Sequence, residues 1–231
     1  MKETTFLFLL VFYSCVNALA QTRLDDVQVA KINFPKVVEY LNHQMDNGNQ
    51  YFDGIKPSLK PGSKNDDYHV IVREFLIKDN LDVVWNTYLK AGLQKAWNTK
   101  KINYGFSYSR HMDSLYYTGE EACKLESGLI VFLNLKMLFG FKNLAMAFEV
   151  TQIDDEDKVL EFSYLKGNET EGKQQLIFDR TSRGYTLITH LSYYKSRVKP
   201  RDKLYPLVHS QIINRFHRNM KEIYKQQNVM Q

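Results

Sequence analysis

Between residues 102 and 194 the chain alternates apolar and polar side chains in six separate runs, and one amphipathic helical stripe closes it at 204–225. A two-residue period places every second side chain on one face of a strand. Thus 128–137 sets Leu129, Val131, Leu133, Leu135 and Met137 together, 144–153 sets Leu144, Met146, Phe148 and Val150 together, and 159–164 sets Leu160, Phe162 and Tyr164 together. Likewise 174–180 contributes Leu176 and Phe178, 185–194 contributes Tyr185, Leu187, Leu191 and Tyr193, and 102–109 offers an aromatic row of Tyr104, Phe106 and Tyr108. One apolar face per strand predicts an antiparallel sheet covered on a single side. The cover is the last stretch, where Leu204, Val208, Ile212, Phe216, Met220 and Ile223 fall at helical spacing. At about 1.5 Å per residue such a helix is roughly 33 Å long, about the breadth of seven strands spaced ~4.8 Å apart.

The seventh strand is 68–77, rich in β-branched and aromatic residues. Asp79 and Asn80 can cap a helix carrying Leu81, Val84, Trp85, Tyr88 and Leu89, which ends at Ala91-Gly92, and 93–97 adds a second short helical piece. The order is therefore strand, two short helices, six strands and a long helix, an α+β domain over 68–226 with a tail at 227–231. Before it, 21–67 holds a short helix near 34–41 with Pro35 in its first turn. A segment rich in Gly, Pro, Asn and Asp follows, a linker or irregular arm whose role is open.

At the N-terminus, Lys2 precedes an apolar run over 6–13, and small residues stand at Ala18 and Ala20. This is the pattern of a secretory signal peptide, 1–20, cleaved after Ala20. The run is far short of the roughly 20 residues that a membrane span needs. The expectation is a periplasmic or secreted protein, with a lipoprotein anchored at Cys15 as the alternative. Cleavage leaves Cys123 alone, which excludes a disulfide framework and a cysteine metal site. The net charge of +5 is unevenly placed: nine Lys/Arg stand against two acids from Lys195 to Lys225, whereas 149–171 is acidic. That basic segment reads either as a solvated helix face or as a contact for anionic membrane headgroups, and no motif suggests a nucleic-acid partner.

The element order resembles the helix-grip fold of the START and birch-pollen-allergen (SRPBCC) superfamily, whose bent sheet grips the last helix and often leaves a cavity. Within it, Phe162-Ser163-Tyr164, Gly167, Glu171-Gly172, Phe178 and Tyr205-Pro206-Leu207-Val208 running into Gln211 and Arg215 are similar to a bacterial and plant domain family of unknown function. The turn at 165–169 is shorter than that family's and lacks its His and Pro, and Gln174-Gln175 stand where it has paired acids. The resemblance implies a bent seven-stranded antiparallel sheet and a hydrophobic small molecule or lipid held between sheet and helix. Cyclase or dehydratase chemistry, or a cavity-free envelope interaction domain, are the alternatives.

Catalytic constellations are mostly missing from the sequence: there is no phosphate loop, nucleophile elbow or HExxH helix. No cofactor, metal or catalytic residue is expected, and the reading favours binding over catalysis. The candidates for a pocket are Tyr104, Phe106, Tyr108, Phe148, Phe162, Tyr164, Leu187, Ile212 and Phe216, since apolar walls with a few hydroxyls are what such sites need. For an enzyme, only Tyr164 and Glu149 suggest themselves, although alternation turns Glu149 outward. His190 falls opposite Leu187 and Leu191 and is expected at the surface, and His209 and His217 lie eight apart on the last helix. The stretch 167–172 reads as a turn with glycines at both ends and a solvated tip, formally a glycosylation sequon at Asn168.

Overall fold

The computed structural model describes residues 21–120, 123–137 and 142–229, with side chains to 227. The expectations for residues 1–20, including cleavage after Ala20 and lipidation of Cys15, lie outside the described residues. Strand β1 (His69–Ile77) leads into helices α2 (Leu81–Lys90) and α3 (Leu93–Trp97), with α1 (Pro35–Asp46) preceding them. Strands β2 (Ile102–Ser109), β3 (Ser114–Tyr117), β4 (Leu129–Met137), β5 (Lys142–Asp154), β6 (Val159–Tyr164), β7 (Thr170–Arg180) and β8 (Thr186–Ser196) follow, and α4 (Tyr205–Val229) ends the chain. The strands form one antiparallel sheet in the order β1-β8-β7-β6-β5-β4-β2-β3. The α+β helix-grip architecture is as expected. The sheet gains an eighth strand, β3, whose four residues are too short to show a period.

Local chemistry fixes the ends as the sequence suggests. Pro35 opens α1, and the Asn80 side chain accepts from the Asp82 N–H at 2.8 Å at the start of α2. On the inner face of the sheet, Leu129, Val131, Leu133, Phe148, Val150, Leu160, Phe162, Leu176 and Phe178 are buried with Trp85, Trp97, Ile212, Phe216 and Met220 from the helices. Leu204, expected to head the α4 stripe, is instead 61% exposed, because α4 starts only at Tyr205.

Three expectations fail for physical reasons. First, the sheet is covered on both sides: Leu24, Val27, Val37, Leu41, Phe52 and Ile55 of the N-terminal arm pack on its outer face against Phe106, Tyr108, Ile130 and Phe132. Second, the aromatic row is split. A register shift between Tyr104 and Phe106 puts Tyr104 in the inner core and Phe106 and Tyr108 in the outer one, since a bulge adds a residue and reverses the alternation beyond it. Third, β8 presents its other face inward: Thr186, Ile188, His190, Ser192 and Tyr194 are buried, while Leu187 and Leu191 are only half-buried on the outside.

The turn between β6 and β7 differs too. Asn168 is buried, its Oδ1 accepting from the Ala147 N–H at 3.0 Å and its Nδ2 donating to the carbonyls of Ala147 and Leu165. That commits the side chain and leaves no room for a glycan. Gly172 lies inside β7, at φ 134°. A Cβ there would stand 1.9 Å from the Tyr193 carbonyl oxygen, so close strand approach, not the turn, requires glycine.

Candidate functional site

Helix α4 crosses the inner face and leaves a cavity of about 80 Å³ under its first turns. Leu135 of β4, Leu144 and Met146 of β5, Trp97 of α3 and Ile212 of α4 form apolar walls. Tyr164, Gln174, Tyr205 and His209 supply a polar end, and the exposed Glu169 and its neighbour Thr170 complete the lining. A smaller void of about 30 Å³ lies beyond Trp97, among Phe148, Phe162, Phe216 and Tyr88. Trp97 lines both spaces, stacked on Phe216 with ring centroids 4.2 Å apart.

Of the candidates, Tyr164 and Ile212 line the larger space, and Phe148, Phe162 and Phe216 the smaller. Tyr104 is buried in the inner core, its hydroxyl 2.8 Å from Ser107 Oγ and 3.0 Å from the Tyr116 carbonyl. Phe106, Tyr108 and Leu187 belong to the outer face and reach neither space. Glu149 also belongs there, bonded by Arg110 at 2.9 Å beneath the N-terminal arm. It is therefore not the exposed carboxylate that alternation alone suggests, nor is it near the cavity.

A buried hydrogen-bonded chain runs from α2 through α4 and the sheet to the cavity. The Tyr88 hydroxyl lies 2.8 Å from His217 Nδ1, and His217 Nε2 lies 2.8 Å from His190 Nδ1. His190 Nε2 then meets Gln174 Oε1 at 2.6 Å, Gln174 Nε2 donates to the Tyr164 hydroxyl at 2.5 Å, and Tyr164 meets the Tyr205 hydroxyl at 2.7 Å. Since Gln174 Oε1 only accepts, His190 donates from Nε2 and accepts at Nδ1. His217 in turn donates from Nε2, and Tyr88 donates to its Nδ1. One proton per imidazole satisfies the run from Tyr88 to Gln174.

Burial enforces that neutral state, because desolvation penalises the charged ring. It pushes His217 and His209 down to about 3 and His190 well below its usual value, with the neighbouring His217 and His209 adding to the effect on His190. Desolvation raises the Tyr164 phenol to about 12. His209 stands beside this chain, its Nε2 3.2 Å from Ser192 Oγ and its ring stacked on Tyr205. Its Nδ1 is buried without a partner. Gln174 was legible as an inward residue, since it shares its alternation with Leu176 and Phe178. His190 was not, because both faces of β8 carry apolar side chains.

No family model matches the chain, and no curated protein sequence matches it. Solved structures do. A norcoclaurine synthase point mutant from Thalictrum flavum, in complex with a transition-state analogue, aligns over 70% of this chain and 96% of its own at 12% identity and a TM-score of 0.52. The same plant's enzyme in complex with dopamine and hydroxybenzaldehyde aligns over 73% and 95%, at 12% identity and a TM-score of 0.51. Major latex-like protein 151 of Panax ginseng aligns over 68% and 97%, at 15% identity and a TM-score of 0.50. The chain shares its helix-grip fold with these proteins.

Proposed function

We propose that this protein is an exported binding module that holds a compact, mostly apolar molecule between its sheet and its last helix. The cavity under α4 carries the reading: apolar walls with a few polar groups at one end are the usual make-up of a small-molecule site. Its size narrows the ligand. Sites that enclose drug-sized molecules run to about 300–1,000 Å³, so the 80 Å³ present suits a small molecule, and an acyl chain would require α4 to move. The Thalictrum flavum enzyme solved with dopamine and hydroxybenzaldehyde holds small aromatic compounds in the same fold, which agrees with that scale.

Binding is favoured over catalysis by the proton chemistry of the lining. General acids and bases work best with pKa values near the operating pH. His209, held near 3, and Tyr164, near 12, are far from it, and Glu149 is on the other face of the sheet. Native mass spectrometry of protein purified from its own host tests the proposal: a co-purifying molecule of low mass is expected, and Ile212→Trp, which fills the cavity, should lose it. A ligand-free protein with unchanged binding behaviour in the filled variant refutes the reading. Export is supported by the leader-like pattern of 1–20, an apolar run behind Lys2 with small residues at Ala18 and Ala20. Sequencing the mature N-terminus should give Gln21, whereas a lipidated Cys15 would replace the soluble form by an anchored one.

A second reading concerns the partner surface, and a separate observation favours it. In the stretch from the end of β8 into α4, Val198, Leu204 and Leu207 are 48%, 61% and 65% exposed, and the exposed Lys195, Arg197, Lys199 and Lys203 lie close to them in the chain. Apolar side chains amid cations suit an anionic membrane surface, and this stretch adjoins the cavity through Tyr205 and Val208. Sedimentation with phosphatidylglycerol vesicles should pull the protein down in a salt-sensitive way, and the Leu204→Ser/Leu207→Ser variant should remain in solution. Equal binding by that variant, or none by the parent, removes this reading.

A further inference from the structure

The polar end of the cavity is largely hydrogen-bonded within itself. Gln174 spends Oε1 on His190 and Nε2 on Tyr164, Tyr164 and Tyr205 bond each other, and His209 spends Nε2 on Ser192. Among the described side chains of the lining, His209 Nδ1 is the buried atom with no hydrogen-bond partner at all, on a residue only 5% exposed. A buried nitrogen without a partner bears its full desolvation penalty, and native folds almost always give such a group a partner.

We infer that the cavity takes a small neutral molecule carrying a hydroxyl group, and that this hydroxyl bonds His209 Nδ1. The inference rests on the binding reading above and specifies its ligand class. A neutral imidazole carries one proton, and whether Ser192 donates to Nε2 or accepts from it decides whether Nδ1 offers an N–H or a lone pair. A hydroxyl both donates and accepts, so it satisfies either tautomer. A charged group is disfavoured: among the described residues Glu169 is the one acidic or basic side chain in the lining besides His209, and it is exposed and already paired with Arg201. An ammonium or carboxylate at the deep end would be desolvated without a counter-charge.

Tyr205, stacked on one face of the His209 ring with centroids 4.9 Å apart, leaves the ring edge as the direction of approach. A cavity of about 150 Å³ takes benzene. The 80 Å³ here thus accommodates a hydroxyl and part of a ring, with the remainder directed towards Glu169 and Thr170.

Phenol and toluene share size and shape and differ at the hydroxyl, so their affinities for the full chain, measured by calorimetry, test the inference. Phenol should bind about tenfold tighter than toluene, the worth of one hydrogen bond, and benzoate more weakly than phenol. In His209→Leu the phenol preference should fall to about unity. Nitrogen-detected NMR of the unmutated protein gives a readout that survives a folding defect in the variant: the His209 Nδ1 signal should move with phenol and stay with toluene. Equal binding of phenol and toluene with an unmoved Nδ1, or benzoate binding as tightly as phenol, overturns the hydroxyl assignment and leaves the apolar pocket standing. Failure of both phenol and toluene to bind overturns the pocket reading together with it.

Discussion

Three histidines buried as neutral rings make the inner core sensitive to acid. In the unfolded chain each protonates near its ordinary value of about 6.5, whereas in the fold burial holds His190, His209 and His217 far lower. Their depressed values favour the fold fully above about pH 6.5, and that contribution falls as the pH drops towards 3, where the unfolded chain binds the extra protons. The slope is at most about 1.4 kcal/mol per pH unit for each ring. Urea titrations at stepped pH should therefore show stability declining steeply from pH 6.5 to 4.5. His217→Phe keeps the packing on Phe75, whose ring stacks 3.8 Å away, but leaves the Tyr88 hydroxyl and His190 Nδ1 without a partner. It should cost about 1–3 kcal/mol at pH 7.5 and flatten the acid slope by roughly a third, since one of three rings is gone.

At the scale of elements, two contacts hold the layers in register. Arg110, in the turn after β2, donates to Glu149 of β5 at 2.9 Å, to Asp53 at 3.0 Å and to the Phe52 carbonyl at 3.0 Å, joining the sheet to the N-terminal arm. Arg110→Met strands the half-buried Glu149 carboxylate and should cost about 3 kcal/mol or more, with hydrogen exchange rising first in 50–56. The β7–β8 pairing depends on Gly172: in Gly172→Ala the methyl group meets the Tyr193 carbonyl at a distance no relaxation of one side chain can relieve. A loss of at least about 2 kcal/mol, read by denaturant midpoint, is expected. Neither requirement was visible in the pattern of the chain, which placed Glu149 in water and Gly172 in a turn. Alternation identifies faces but says nothing of which third element comes to lie on them.

For the molecule as a whole, the N-terminal arm is the outer layer of the sheet. Leu24, Val27, Val37, Leu41, Phe52 and Ile55 are each almost fully buried there. At about 1.5–3 kcal/mol per buried side chain, their loss is comparable with the 5–15 kcal/mol that holds a typical domain folded. A chain beginning at residue 68 should therefore fail to give a cooperative thermal transition, although all strands and the long helix remain. The sequence by itself determined the element order apart from the short β3, the inner faces of β4 to β7 and the helix that covers them, because those patterns are local and follow the 2.0 and 3.6 periods. Only the tertiary structure decided that a bulge splits Tyr104 from Phe106, that β8 turns His190 inward and that the arm covers the outer face. Each of those depends on partners distant in the chain: for β8, hydrogen bonds from His190 to Gln174 and from His217 to His190 satisfy the polar face that is buried, and no local period records them.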